Sequence, residues 1–457
     1  MIIDKSSNMT QKEKERMSRK EEVLKRFYEN KGFMDTVVKD NIEKYRKGDL
    51  KIALCDSNNT PIKNAEITIT QTKHEFGFGA NVFMLDGFKT EEENSTYKTE
   101  FKNLFNIATL PFFWSATEPE RNKLRFTKDS EFMYRRPPID LCLEYCKEYD
   151  IEPKCHCLNY DGISPKWLEG VSVSEHKQLL EKRFAEISER YADKIPSFEV
   201  TNEVFHALSQ KHNAFYNEND FVSWSYETAH KYFPNNKLIM NDDMFVWYRR
   251  YRGTPYYLLL KSLLLKDNYH IDVIGMQFHF FFNKEEEFAK ADFYYNPIFL
   301  YDLLNMYGEF NKDIQITEMT IPAYSDLPED EETQAEIIKN IYTLFFSHPN
   351  MSSIIYWNLV DGHTGFSNPG DMTAGENRFY GGLLNVDMSR KKAYTELDRL
   401  INSTWHTTDT KITDNNGQAD FRGFYGDYDV EIKYKNKYVI KKIKLSKNSN
   451  NTYKIVI

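Results

Sequence analysis

Two short stretches of the chain decide the predicted fold: Ser197-Phe-Glu-Val-Thr-Asn-Glu203 and Asp313-Ile-Gln-Ile-Thr-Glu318. Each is a β-rich run that ends on a carboxylate. The C-terminal ends of the strands of a (β/α)8 barrel meet at one face, so two such strands would bring Glu203 and Glu318 into one pocket. Two carboxyl groups in one pocket are also the minimum equipment for cleaving a glycosidic bond.

Strand and helix patterns alternate through residues 76–404, which is typical of a parallel sheet. We expect eight strands, at Phe76–Ala80, Asn106–Leu110, Pro153–Leu158, Ser197–Asn202, Lys237–Asn241, Asp272–Phe278, Asp313–Thr317 and Ser353–Asn358. Helical spacing of apolar residues lies between them, as at Leu180, Phe184 and Ile187. Eight repeats predict an α/β fold that closes into a (β/α)8 TIM barrel.

Both ends of the barrel segment adjoin further strand patterns. Residues 48–75 contain two predicted strands, and residues 405–457 contain five short ones separated by turn sequences. Because two strands alone cannot bury a core, we predict one accessory β-sandwich assembled from both segments. Independent N- and C-terminal modules are the alternative. Residues 1–47 carry a modest apolar stripe in a charged segment, which indicates a helical leader or, equally well, a frayed tail.

The charge balance argues against several kinds of partner. The chain has 60 basic and 69 acidic residues, for a net charge of −9, and so offers no basic surface to attract nucleic acid or an anionic membrane. No apolar run is long enough to span a bilayer, and the N-terminus lacks the features of a secretion signal. We therefore expect a cytoplasmic protein, with a secreted mature form as the alternative.

The cysteines raise the question of a zinc site. Cys142 and Cys146 have helical i,i+4 spacing, and Cys155 and Cys157 flank His156. On a strand, alternate side chains point to opposite faces, so the two flanking thiols would face away from the imidazole. Five cysteines, an odd number, also fit reduced thiols better than disulfides. We therefore expect no metal site and no organic cofactor.

Polar side chains lie on the predicted strands near their C-terminal ends or directly after them, where the catalytic face of a barrel lies. The set comprises His156, Asn202, Glu203, Asn241, Asp242, Gln277, His279, Glu318 and Trp357. Any one of them could be an interior hydrogen-bonding group or a helix cap. Their occurrence at successive strand ends favours a shared active site.

A series of motifs in fixed order accompanies these residues. It includes Ala116-Thr-Glu-Pro-Glu-Arg121, Cys155-His-Cys-Leu-Asn-Tyr160, Val200-Thr-Asn-Glu203, Gly275-Met-Gln-Phe-His279, Ile316-Thr-Glu318 and Tyr356-Trp-Asn-Leu-Val-Asp361. From about Phe76 to Leu400 the chain thereby resembles the retaining glycoside hydrolases of family 10, which are mostly xylanases. The resemblance implies that Glu203 is the acid/base and Glu318 the nucleophile. It also implies a substrate-binding set of His156, Asn202, Gln277, His279, Trp357, Tyr160 and Phe113.

The chain departs from the family pattern after the second strand. Where the family carries Glu-Asn and then a Lys that holds sugar on the non-reducing side, this sequence has Thr109, Leu110 and Phe113. Tyr160 replaces a usual Trp, and Asp161 replaces a His. Apolar and aromatic groups cannot bind hydroxyls as charged groups do, so we expect altered sugar recognition here.

The sequence therefore predicts a retaining glycoside hydrolase that cleaves a β-linked polysaccharide or oligosaccharide by double displacement, with xylan as the default substrate. Retention predicts carboxyl groups about 5 to 5.5 Å apart. Another β-glycan or a decorated oligosaccharide, cut in endo or exo mode, stays open. Less favoured are a metal-dependent barrel hydrolase using His156, His279 and Asp242, and a non-catalytic carbohydrate-binding barrel.

Overall fold

The computed structural model describes residues 18–205, 213–248, 250–265 and 270–457. Its strands are β1 Lys47–Cys55, β2 Glu66–His74, β3 Gly77–Asn81, β4 Ile107–Pro111, β5 Glu152–His156, β6 Ser197–Thr201, β7 Lys237–Asp242, β8 Val273–His279, β9 Asp313–Thr320, β10 Met351–Tyr356, β11 Thr408–Ile412, β12 Gln418–Phe424, β13 Gly426–Tyr434, β14 Lys437–Leu445 and β15 Thr452–Val456. Strands β3 to β10 pair in chain order, and β10 pairs with β3 to close the barrel. The predicted (β/α)8 TIM barrel is confirmed.

The barrel strands are almost entirely buried, as parallel strands covered by helices must be. Strands β3 and β4 approach each other closely at Gly79. A Cβ atom there would lie 2.4 Å from the Cγ2 atom of Ile107 and 2.6 Å from its carbonyl oxygen. Only glycine allows this spacing, which helps to bring the C-terminal ends of the two strands together.

Helices surround the barrel with their apolar faces inward. The α-helices span Arg19–Val23, Lys25–Glu29, Lys31–Phe33, Lys39–Arg46, Glu91–Leu104, Trp114–Thr117, Ile139–Glu148, Val173–Tyr191, Phe221–Tyr232, Pro255–Leu264, Glu287–Tyr294, Pro297–Gly308, Pro328–Ser347 and Lys392–Arg399. The helix Val173–Tyr191 shows the sequence logic. It begins after Ser172, whose hydroxyl accepts from the Glu175 N–H, and it buries Leu180, Phe184 and Ile187 as its spacing predicts.

The N-terminal leader packs against the barrel from residue 18 onward, and residues 1–17 of the predicted leader lie outside the described residues. Its side chains Val23, Leu24 and Phe27 are buried in the barrel's hydrophobic core. The guanidinium of Arg19 forms ion pairs of 2.7 Å with Glu287 and 2.8 Å with Asp330. Because both carboxylates are themselves buried, these pairs fix the leader to the loops and helices beside β8 and β9.

The two chain ends build the accessory sandwich. One sheet has the order β12-β1-β15 and the other β11-β2-β13-β14, so two strands from the N-terminal segment join five from the C-terminal one. Their facing side chains form a separate core that includes Leu50, Ile52, Ile67, Ile69, Val430 and Ile432. The predicted sandwich assembled from both ends is therefore confirmed, and it meets the barrel where the ring of Phe424, in β12, lies 6.1 Å from that of Phe346 between centroids.

The cysteines and the hydropathy of the helices bear on two further expectations. All five thiols are free and buried, and burial raises the pKa of Cys142, Cys155 and Cys157 well above the ordinary value. Buried thiols of this kind are inert packing groups. Within the described ranges, no helix combines the length and the apolar character needed to cross a membrane.

Candidate active site

A cleft of about 520 Å³ opens at the C-terminal ends of the barrel strands. The structure brings all nine predicted site residues to its lining, namely Phe113, His156, Tyr160, Asn202, Glu203, Gln277, His279, Glu318 and Trp357. A second cavity of about 390 Å³ adjoins the end of β7 at Asp242 and contains neither Glu203 nor Glu318. The larger cleft is therefore the candidate active site.

Gln277, in β8, connects the two carboxylates. Its Nε2 atom donates to Glu203 Oε1 at 2.9 Å and to Glu318 Oε1 at 3.1 Å. Because both hydrogen bonds start from the same nitrogen, the Oε1 atoms of Glu203 and Glu318 are at most about 6 Å apart. That limit lies below the roughly 6.5 to 9.5 Å that separates the carboxyl groups of inverting glycosidases.

Glu203 follows directly after β6 and is held in an unusual backbone conformation. Its φ angle of 49° lies in the left-handed region, which costs a residue with a side chain about 1–2 kcal/mol. Its N–H donates to the carbonyl of Asn241 at 3.2 Å, and the Tyr160 hydroxyl donates to its Oε2 at 2.5 Å. These contacts direct a half-buried carboxyl group into the cleft.

Glu318 lies within β9 and is only 3% exposed. Its Oε1 accepts from Asn241 Nδ2 at 3.1 Å as well as from Gln277, and its Oε2 lies 3.2 Å from His279 Nε2. Burial is the largest influence and raises the pKa of Glu318 to about 8, while the charge of His156 acts in the opposite direction. The carboxyl group is thus fixed at both oxygens before any ligand binds.

His279 orients one of those oxygens through a defined tautomer. Its Nδ1 atom lies 3.0 Å from the Thr320 hydroxyl. Burial lowers the pKa of His279 to about 4, so the imidazole is neutral and carries one proton. When Glu318 is ionised it can only accept, so in that state the proton lies on Nε2 and the Thr320 hydroxyl donates to Nδ1.

A buried charge cluster lies beneath Glu318. Glu199, in the middle of β6, accepts from both Lys154 Nζ and His156 Nδ1, and Lys154 and Glu199 are fully buried. His156 Nδ1 lies 3.8 Å from Glu318 Oε1. Burial acts to lower the pKa of His156, but the charges of Glu199 and Glu318 outweigh it, and the pKa is raised. The cluster therefore favours an imidazolium beside Glu318.

The same cluster is the one arrangement of possible metal ligands among the described residues. One ligand atom each of His156, Glu199 and Glu318 lies within 4.8 Å of the others. However, the ammonium of Lys154 already bonds to Glu199, and the raised pKa of His156 favours a protonated ring that cannot coordinate. The charge that a metal ion would supply is already present in these two side chains.

Aromatic side chains form the other part of the cleft. The ring of Phe83 makes edge contacts with the rings of Phe113 and Trp357. Its centroid lies 5.3 Å from each of theirs. The guanidinium of Arg136 covers the Phe113 ring at 3.9 Å. We call these four residues the aromatic wall, and the six polar residues Asn202, Glu203, Asn241, Gln277, His279 and Glu318 the carboxylate floor.

Several residues of the site were not predicted from the sequence. Glu199 had a signal, because a charged residue in the middle of a fully buried strand needs partners. Arg136 and Phe83 lie outside the strands and had no periodic signal. Of the three departures after the second strand, Thr109 and Leu110 are completely buried and do not line the cleft, so only Phe113 contacts it.

Comparison with protein families identifies a match over most of the chain. The model described as Glycosyl hydrolase family 10 matches residues 69–398, which include every barrel strand. Among curated relatives, the anti-sigma-I factor RsgI6 of Acetivibrio thermocellus is 24% identical over 403 residues, which cover 86% of this chain and 46% of the relative. Endo-1,4-beta-xylanase 2 of Arabidopsis thaliana is 21% identical over 413 residues, covering 87% and 34%. The chain thus spans less than half the length of either relative.

Solved structures show the same fold. Native xylanase 10B from Thermotoga maritima superposes with a TM-score of 0.55 at 20% identity, covering 72% of this chain and 96% of that one. Xylanase 10B from Thermotoga petrophila, solved in complex with xylobiose, gives a TM-score of 0.55 at 19% identity, covering 72% and 95%. Both superpositions leave more than a quarter of this chain outside the shared fold.

Proposed function

Since this chain belongs to glycosyl hydrolase family 10, we propose that it is a retaining glycoside hydrolase that cleaves a β-linked glycan by double displacement. The observation that carries the proposal is that the carboxyl groups of Glu203 and Glu318 both accept a hydrogen bond from the amide nitrogen of Gln277. Carboxyl groups about 5 to 5.5 Å apart favour direct attack by one of them, whereas wider pairs leave room for a water molecule.

In the first step, Glu318 attacks the anomeric carbon while Glu203 gives its proton to the leaving glycosidic oxygen. The bond to the leaving sugar breaks, and a covalent glycosyl ester forms on Glu318. Glu203 suits the acid role because it is the more exposed of the two and can reach an oxygen in the open cleft. Glu318 suits the nucleophile role because both of its oxygens are held in place.

In the second step, Glu203 has become a carboxylate and removes a proton from a water molecule. The resulting hydroxide attacks the anomeric carbon, the ester bond to Glu318 breaks, and the product keeps its β configuration. Asn202 assists both steps. Its Oδ1 accepts from Asn241 at 2.7 Å, which turns its NH2 group toward a sugar hydroxyl next to the reacting carbon.

The charge cluster below the floor prepares Glu318 for this role. A nucleophile must be ionised, and burial opposes ionisation by raising the pKa of Glu318. The cationic ring of His156 acts against that effect, and hydrogen bonds from Asn241 and Gln277 stabilise the anion. No step requires a metal ion or an organic cofactor.

Xylan or a xylo-oligosaccharide is the substrate that we favour, because several relatives are named endo-1,4-beta-xylanases. The aromatic wall offers flat ring faces to the C–H surface of a pyranose. Since Phe113 replaces the Lys of the resembling enzymes, a different or decorated β-glycan is the rival substrate class.

The proposal is tested by incubating the protein with a panel of β-1,4-xylan, β-glucan, β-mannan and short xylo-oligosaccharides, and following the anomeric protons by NMR from the first minutes. We expect initial release of the β-anomer, which then mutarotates. Initial release of the α-anomer would contradict retention. The sizes of the first products separate endo from exo cleavage.

Non-catalytic glycan binding is the second candidate, because one relative is named an anti-sigma factor and not a hydrolase. A protein that only binds glycan does not need two carboxyl groups paired as Glu203 and Glu318 are through Gln277, which is why we rank this function lower. If the protein binds a glycan by calorimetry, but cleaves none of the panel, the binding function replaces the hydrolase function.

A further inference from the structure

Arg136, in the aromatic wall, lies in the catalytic cleft and is held there by few contacts. Its guanidinium carbon lies 3.9 Å from the centroid of Phe113 and 5.5 Å from that of Phe83. Its Nη1 donates to the carbonyl of Arg135 at 2.8 Å. A guanidinium has five N–H donors, so most of them remain available on the cleft side.

Two other buried arginines, Arg135 and Arg183, are occupied by the protein itself. Arg135 donates from both terminal nitrogens to Asn358 Oδ1 at 3.1 Å and also bonds to the carbonyl of His363. Arg183 bonds to the Thr117 hydroxyl at 2.7 Å and to two backbone carbonyls. These two side chains have structural roles that Arg136 lacks.

The charge of Arg136 has no counterpart in the described part of the chain. No carboxylate there lies within ion-pair distance of its guanidinium, and the charged group that most affects it is Arg135, another cation. Burial and this repulsion together lower the pKa of Arg136 to about 9, so the group is still cationic at neutral pH. A partly buried cation without a carboxylate partner is costly, and an anionic ligand in the cleft would relieve that cost.

We propose that the cleft accepts a β-glycan with a uronic acid unit whose carboxylate is bound by Arg136 while its ring lies against Phe113. This proposal rests on the glycoside hydrolase function and specifies its substrate class. The planar fork of a guanidinium matches a carboxylate in two parallel hydrogen bonds, and the aromatic faces accommodate the sugar ring.

The test compares a glucuronate-substituted xylo-oligosaccharide with the same compound after reduction of its carboxyl group to an alcohol. For the unaltered protein we expect the acid to have a kcat/KM about tenfold to a hundredfold higher than the alcohol, the range of a hydrogen-bonded charge pair. Arg136→Gln is expected to bring this ratio close to one, and Arg136→Glu to bring it below one. Arg136→Lys, which keeps the charge, is expected to retain part of the preference.

Arg422→Gln is the matched control, because Arg422 lies on the sandwich and pairs with Asp49 at 2.8 Å. It should leave the ratio as it is in the unaltered protein. A ratio near one in the unaltered protein, or one that Arg136→Gln does not change, overturns the proposal and leaves Arg136 as a group that binds neutral hydroxyls.

The two proposals fail in different ways. If no glycan is cleaved, calorimetry with the Glu318→Gln variant still compares the affinities of the acid and the alcohol, so a failure of hydrolysis is separable from a failure of uronate recognition. Equal affinities in that experiment also overturn the proposal.

Discussion

The carboxylate floor and the aromatic wall face the same cleft but are built differently. Floor residues lie on or directly after β6 to β9, and their side chains hydrogen-bond to one another. Three wall residues follow β3, β4 and β10 by one or two positions, and Arg136 lies in the loop before the helix Ile139–Glu148. These four residues touch through ring edges and two cation–ring contacts and not through hydrogen bonds. A network of fixed donors suits a reaction that tolerates little displacement, whereas ring surfaces can change without disturbing it. We infer that the floor determines the reaction and the wall determines the sugar.

If the floor determines the reaction, substitution of Glu318 should have the largest effect on activity. The Glu318→Gln variant keeps the size and most hydrogen bonds of the side chain but cannot form the glycosyl ester. We expect kcat to fall by at least about 10⁴-fold on every substrate, as for other enzymes that lose their nucleophile. Glu152→Gln, at the opposite end of a barrel strand, is the control and should have ordinary activity. If kcat of the Glu318→Gln variant is within tenfold of that of the unaltered protein, Glu318 is not the nucleophile.

Substitution of Glu203 is expected to lower kcat less than substitution of Glu318, by an amount that depends on the leaving group. Glu203→Gln removes the proton donor, so kcat should fall by about 10²- to 10⁴-fold on xylo-oligosaccharides, whose alkoxide leaving groups need protonation. On a nitrophenyl glycoside, which has a good leaving group, the first step should suffer much less. Steady-state kinetics on both substrates checks this. An equal loss on both would assign Glu203 to sugar binding and not to proton transfer.

His156 tests whether the charge cluster below the floor controls ionisation. In the proposed mechanism Glu318 must be deprotonated to attack, so kcat/KM should fall as the pH drops through its pKa, which burial raises to about 8. His156→Gln removes the cation that opposes this increase. We expect the acid limb of the kcat/KM profile to move to higher pH, with a loss of about tenfold at neutral pH.

The control for this change is His230→Gln, on a helix outside the barrel. The acid limb of the kcat/KM profile of this variant should coincide with that of the unaltered protein. An acid limb that does not move in His156→Gln would show that hydrogen bonds from Asn241 and Gln277, and not the imidazolium charge, keep Glu318 ionised.

The same contrast explains which parts of the molecule were predictable from sequence. Barrel strands such as Ser197–Thr201 were located to within a few residues, because buried β-rich runs, turn residues and helical spacing are local signals. The family resemblance, confirmed by the match over residues 69–398, selected the floor residues. The bridge from Gln277 to both carboxylates was not predictable, because it depends on the register of three strands that are far apart in sequence.

The wall was less predictable than the floor, because Phe113 and Trp357 were expected at the site but Phe83 and Arg136 were not. Phe113 was selected only as a departure from a motif, and nothing in the sequence around Arg136 indicated that its guanidinium would cover that ring. Contacts between loops depend on the path of each loop and have no sequence period. The sequence thus predicted the floor, to which we assign the reaction, better than the wall, to which we assign substrate selection.

Phe113 gives the smallest expected effect and the finest test of the comparison. Phe113→Leu keeps an apolar side chain but removes the ring that supports Arg136 and faces the cleft. A cation–ring contact of this kind contributes about 0.5–2 kcal/mol, so we expect KM to rise by about two- to thirtyfold while kcat changes less than twofold. Leu124→Ala, at an exposed site outside the cleft, should leave both constants unchanged. Because the floor does not depend on this ring, a fall in kcat as large as the rise in KM would mean that the wall and the floor act as one unit, and that the division between reaction and specificity is wrong.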